Sequence, residues 1–172
     1  MLVAINRTEK NKVAAGEAFK RFNGSFQNVD LSIQELAAEV GQGYAFCAQH
    51  KRWRKRDNFI VAGFLAVDVD DGLRIEDALT HEFIQRFGGM IYTSFSHTDE
   101  SHRFRIVFEL EEQITDRQQM EHALTGLIRK LGGDAACKDA CRLFFGNTNA
   151  KVTHIGNRLP PSEVAQLVLR GQ

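Results

Sequence analysis

The chain has 172 residues, with 22 Lys and Arg against 22 Asp and Glu, 43% hydrophobic residues, 14 Gly and 2 Pro. These fractions suit one folded domain and exclude a disordered, collagen-like or disulfide-stapled chain. A net charge of zero removes bulk basicity as an argument for nucleic-acid binding, so any such claim must rest on local patches.

In chain order, residues 9–22 are expected to be helical, because Val13, Ala14, Ala18, Phe19 and Phe22 recur near a 3.6 period before Asn23-Gly24-Ser25. Ser32 with Glu35 forms a capping box that opens a short helix through Val40, closed by Gly41. The segment 1–43 is thus expected to be helical. Tyr44 to Ala48 predicts a short strand, followed by the polar run His50 to Asn58. Phe59 to Val67 is almost wholly apolar and rich in β-formers, as in a strand buried on both faces, and it runs into Asp68-Val69-Asp70-Asp71-Gly72.

Ile75, Ala78, Leu79, Phe83 and Phe87 make one helical stripe that stops at Gly88-Gly89. Met90 to Phe95 and Arg103 to Leu110 predict two strands joined by the polar turn Ser96 to His102. Thr115 with Gln118 is a second capping box, for a helix that carries Met120, Leu124, Leu127, Ile128 and Leu131 to Gly132-Gly133. Arg142 to Phe145 and Val152 to Ile155 predict two more strands. Pro160-Pro161 opens a terminal helix, within 156–172, that contains Val164, Leu167 and Val168. Strands interleaved with helices in this order suggest an α+β fold, a mixed or antiparallel central sheet flanked by helices.

The longest apolar stretch, Phe59 to Val67, is too short for the ~20 residues a bilayer span needs. No basic head followed by an apolar run stands at the amino terminus, so no export signal is visible. The three cysteines, an odd number, argue for reduced thiols and a cytoplasmic location. Cys137 and Cys141 with His154 fall short of the four ligands of a structural zinc site, and the thiols are expected to pack.

The end of the apolar strand carries the most chemistry. Alternation along a strand puts Asp68 and Asp70 on one face, about 7 Å apart. Two such carboxylates repel unless a cation sits between them, and Mg²⁺ or Mn²⁺ suits carboxylate oxygens while keeping positions open for phosphate. The alternative is a solvated turn, since Asp-Asp-Gly is also good turn chemistry. A second feature is Lys51-Arg52-Trp53-Arg54-Lys55-Arg56, in which five cations surround the only Trp. Clustered cations suit phosphates, and the indole can stack on an unpaired base.

Together these segments resemble the archaeo-eukaryotic primase superfamily, the primase–polymerases of plasmids, phages and mobile elements. Its two acids on one strand match Ala66-Val67-Asp68-Val69-Asp70. Its histidine motif falls within Thr93 to Arg103, at His97 or His102. Its third acid, before an Arg-containing strand, matches Asp134 or Asp139 ahead of Arg142, and Phe145 to Lys151 resembles the turn that follows. The likeness covers roughly residues 44–155 and implies an RRM-like primase–polymerase catalytic core.

The resemblance implies a DNA primase or polymerase that transfers nucleotides on a template during replication of a plasmid, phage or mobile element. Asp68, Asp70 and Asp134, with Asp139 as the alternative third acid, would hold two Mg²⁺ or Mn²⁺ ions. His97 or His102, Ser94, Ser96, Arg103, Arg105, Arg142 and Lys151 would grip the nucleoside triphosphate. The implied partners are a single-stranded DNA template and nucleoside triphosphates, with room for a replicative helicase and none for a membrane. Two other readings stand beside this one. In a haloacid-dehalogenase-type phosphatase, Asp68 and Asp70 would be nucleophile and acid, Thr93 or Ser94 the phosphate hydroxyl, and Asp134 with Asp139 the late metal acids. The other is a non-catalytic nucleic-acid-binding replication module of the same fold.

Overall fold

The structure is a computed structural model that describes residues 1–172. Its centre is strand β5 (Phe59–Val69), eleven residues of which all but the first two are buried. Pairing it are β4 (Gln49–His50) on one side and the long β7 (Phe104–Ile114) on the other, both antiparallel. The sheet continues through β6 (Met90–Thr93) to β8 (Val152–His154), again antiparallel, and the short β9 (Arg158–Leu159) pairs β7 in parallel. A second, three-stranded sheet has β1 (Leu2–Asn6) between β2 (Gln27–Asp30) and β3 (Ala45–Cys47). The architecture is therefore α+β with mixed, mainly antiparallel pairing.

Helices cover the sheets as their apolar stripes require. Helix α2 (Ile33–Gly41) starts at the predicted capping box, with Ser32 accepting from the Glu35 amide and Glu35 from the Ser32 amide. Helix α5 (Arg117–Leu131) buries Met120, Ala123, Leu124, Leu127 and Leu131, the positions its 3.6 period selects. Against it lies α6 (Pro161–Gly171), opened by a proline at the first helical position. The two backbones approach so closely that a Cβ on Gly126 would collide with the Leu167 carbonyl. One core of 38 buried residues joins β1, α2, both long central strands, α5 and α6. No helix is long and apolar enough to cross a membrane.

Several expectations need correction. The segment 1–43 is not only helical, because it also contains β1 and β2. Helix α1 spans only Glu17–Asn23; Asn11 at φ 59° and Gly16 at φ 108° break the turn that periodicity suggested from residue 9. Ile75 to Phe87 is two helices, α3 (Ile75–Thr80) and α4 (Glu82–Phe87), divided by the extended His81. The cap of α5 is Asp116, accepting from the Gln119 amide, one residue beyond the expected Thr115. Arg142 to Phe145 contributes one bridge, Phe46 to Phe144, and no strand.

Candidate active site

Asp68 sits next to the end of β5, directly across from Arg105 on β7. Its Oδ1 is 3.5 Å from Arg105 Nε, an ion pair that does not form a hydrogen bond, and both atoms are buried without a hydrogen-bond partner. Arg105 is anchored elsewhere: Nη1 donates to the Phe145 carbonyl at 2.8 Å, and the guanidinium packs over the rings of Tyr92 and Phe144. Burial pushes the Asp68 carboxyl above the usual range; the Arg105 charge opposes that rise and the Asp70 charge adds to it.

The acid that joins Asp68 is Asp134. Helix α5 ends on Gly132, whose φ of 76° is the left-handed cap conformation. The following Gly133 lies so tightly on the strand that a Cβ would collide with Val67 Cγ2. That close approach lets the Asp134 amide donate to the Asp68 carbonyl at 2.8 Å. The Asp134 side chain caps a 3₁₀ turn, Ala135–Lys138, by accepting from the Ala136 amide. Asp68, Asp134 and Cys137 each present a donor atom within 4.8 Å of the others. Asp68 Oδ1 lies against Arg105, while a largely buried carboxylate, a second carboxylate and a thiol offer donor atoms to one point, a set that fits a divalent cation.

Asp139, the alternative third acid, does not belong to this group. Its Oδ1 accepts from the Cys141 amide at 3.0 Å and from its thiol. Although burial would raise it, those bonds and the charges of Arg56 and Arg54 hold its carboxyl below the usual range. Asp70 is exposed just past the end of β5, on the wall of a cavity of about 420 Å³. Lys12, Arg103, Arg105 and Arg142 also line that cavity, with Ser94 and Ser96. Four cations against one acid suit an anion with several charges.

A second cavity, of about 560 Å³, adjoins the first through Ser94 and Phe95, and His97, Asn147, Asn149 and Lys151 line it. His97 Nδ1 accepts from the Arg103 amide, which leaves the proton of the neutral ring on Nε2. His102 is close, with ring centroids 4.9 Å apart, but its Nδ1 accepts from the Ile75 amide at the start of α3. The structure thus brings His97 to the cavity wall and uses His102 to hold a helix. The hydroxyls are partly engaged as well. Thr93 Oγ1 accepts from the Lys151 amide, and Ser94 Oγ donates to the Arg103 carbonyl. With Asp139 also turned to Cys141, the donor set expected of the phosphatase does not assemble.

The basic run divides in two. Arg54 donates to Asn23 Oδ1 and the Cys141 carbonyl, and Arg56 pairs with Glu121. Both are tied to the fold. Lys51, Arg52 and Lys55 are exposed, and Trp53 is 53% exposed beside a groove of about 470 Å³ that Lys20 and Lys55 share. Sequence reasoning missed Lys12, which sits in a stretch expected to be helical. It also missed Cys137 as a neighbour of the acids, and Asn147, whose side chain bonds the Thr93 carbonyl. The Asx-type pattern at Asn147, whose Oδ1 accepts from the Asn149 amide, was the signal available.

No protein-family model and no curated protein matches the chain. Among solved structures, the AEP domain of the primase-polymerase (PrimPol) of cyanophage S-2L is similar, with a TM-score of 0.54 and 9% sequence identity. The superposition covers 97% of this chain and 88% of that domain. The chain therefore has the fold of a phage primase-polymerase AEP domain.

Proposed function

We propose that the protein is a nucleotidyltransferase of the primase–polymerase kind, adding nucleotides to a primer, or to a first nucleotide, along a single-stranded DNA template. The observation that carries this reading is the meeting of the buried Asp68 with Asp134, their carboxylates within 4.8 Å, beside a cation-lined cavity, in a fold shared with a primase-polymerase domain. Asp68 and Asp134, with Asp70 at the mouth, would hold Mg²⁺ or Mn²⁺, whose charge would acidify the attacking hydroxyl and neutralise the pyrophosphate.

The chain's own groups do the rest. Arg103, Arg142 and Lys12 bind the triphosphate, the arginines through their two-pronged forks. Arg105 faces the same cavity but is spent mainly on Phe145 and Asp68, so it positions the acid more than it grips substrate. His97 Nε2–H is available to donate to a phosphate oxygen, and Ser94 fixes the hairpin that carries His97. Ser96 and Lys151 flank the anion. Lys51, Arg52 and Lys55 attract the template, and Trp53 offers a stacking face. DNA replication in a plasmid, phage or mobile element is the setting this activity suits.

Primer extension with deoxynucleotides and Mn²⁺ tests the reading. Wild-type protein should extend the primer, and Asp70→Ala should not, while keeping its circular dichroism and melting temperature, because Asp70 is an exposed side chain outside the core. Incorporation retained by Asp70→Ala would refute the assignment. A protein that shifts labelled single strands but extends nothing would be the non-catalytic binding module.

A further inference from the structure

Cys137 enters none of these steps, yet its thiol faces the acids. Its Sγ is 3.9 Å from Asp134 Oδ2, and it completes the group of three donors within 4.8 Å of one another. Cys137 is wholly buried, and Asp68 is 7% exposed with Oδ1 bare of hydrogen bonds. Donor atoms on one tetrahedral zinc ion stand roughly 3.3–3.8 Å apart, so side-chain rotations that draw these three closer by up to about 1 Å would bring them onto a single cation. Magnesium gains little from sulfur. Zinc and cadmium favour thiolate, and manganese lies between.

We propose that Cys137 is a sulfur ligand alongside Asp68 and Asp134, so that Zn²⁺ or Cd²⁺ binds there far more tightly than Mg²⁺. On binding, a metal–sulfur bond replaces the S–H bond and the proton leaves to solvent. The inference rests on the reading of Asp68 and Asp134 as metal ligands. The other two thiols are built differently: Cys141 donates to Asp139, and Cys47 is buried beside His50.

The test titrates the full chain with Cd²⁺, reading the ultraviolet sulfur-to-cadmium charge-transfer band, with Mn²⁺ binding followed in parallel by electron paramagnetic resonance. A Cys47→Ser/Cys141→Ser double variant, with Cys137 its only thiol, should keep the wild-type band at one equivalent. Cys137→Ser should lose the band, lower Cd²⁺ affinity by more than the roughly 10–100-fold that loss of an outer-shell partner costs, and leave Mn²⁺ binding in place. Asp68→Asn should weaken Cd²⁺ binding as well. No band in the double variant, or a band that survives Cys137→Ser, overturns the sulfur ligand; if Mn²⁺ still binds, the carboxylate site stands without it. Folded wild-type protein that binds neither ion overturns both readings.

Discussion

The backbone amide of Asp134 is hydrogen-bonded to the backbone carbonyl of Asp68 at 2.8 Å, although 66 positions separate them in the sequence (134 − 68). Main chain, not side chain, therefore sets the distance between the two acids, and that bond depends on the absence of a Cβ at Gly133.

Gly133→Ala should act on both stability and site. The added methyl meets Val67 Cγ2 and forces the strand or the helix end to move, at a cost of about 1–3 kcal/mol. Because Asp134 shifts with it, the rise in melting temperature that Mn²⁺ should produce at the proposed site is expected to shrink. An undiminished Mn²⁺-dependent rise would show that the backbone hydrogen bond does not hold the acid in place.

For the basic loop, the structure separates cations that bind the fold from cations open to a ligand. Changing Lys51, Arg52 and Lys55 together to Gln should flatten the log–log salt dependence of single-stranded DNA binding by about 2, at roughly 0.7 for each phosphate no longer neutralised. Melting temperature should hardly move, since these side chains are exposed. Arg54→Ala should do the reverse, losing stability with the bonds to Asn23 and the Cys141 carbonyl. A salt slope unchanged in the triple variant would remove the loop from the binding surface.

His50 gives a pH dependence with a definite sign. Burial lowers its pKa from 6.5 to about 4, and its Nε2 has no hydrogen-bond partner. The unfolded chain therefore takes up a proton before the folded one does. This contribution is fully present above pH 6.5 and is lost as pH falls toward about 4. In His50→Gln, urea denaturation at pH 7 and at pH 4.5 should give a smaller difference than in wild type, by on the order of 1 kcal/mol. Equal differences would show that His50 does not titrate in this way.

The sequence was most readable where one period governs a segment. The apolar run through Val67 and the capping box of Ser32 and Glu35 both lie where patterning places them, as does the stripe from Met120 to Leu131. It was least readable where the fold overrides the pattern. Val13 and Ala14 keep a helical spacing, but positive φ at Asn11 and Gly16 turns that segment into a loop, and the loop brings Lys12 to the cation-lined cavity. The same holds for the third acid. The letters favour Asp134 with Asp139 as the alternative; only the turn after α5 shows one beside Asp68 and the other bonded to Cys141.

The glycine crossing of α5 with α6 ties the position of one helix to the other. Helix α5 is a rigid rod with Asp134 hung just beyond its tip, and the Leu167 carbonyl on Gly126 fixes where that rod lies. Removing or tugging on α6 would let the rod slide along the sheet, spreading the two acids without touching either one. A pull on α6 would thus reach Asp68 and Asp134 as through a remote lever.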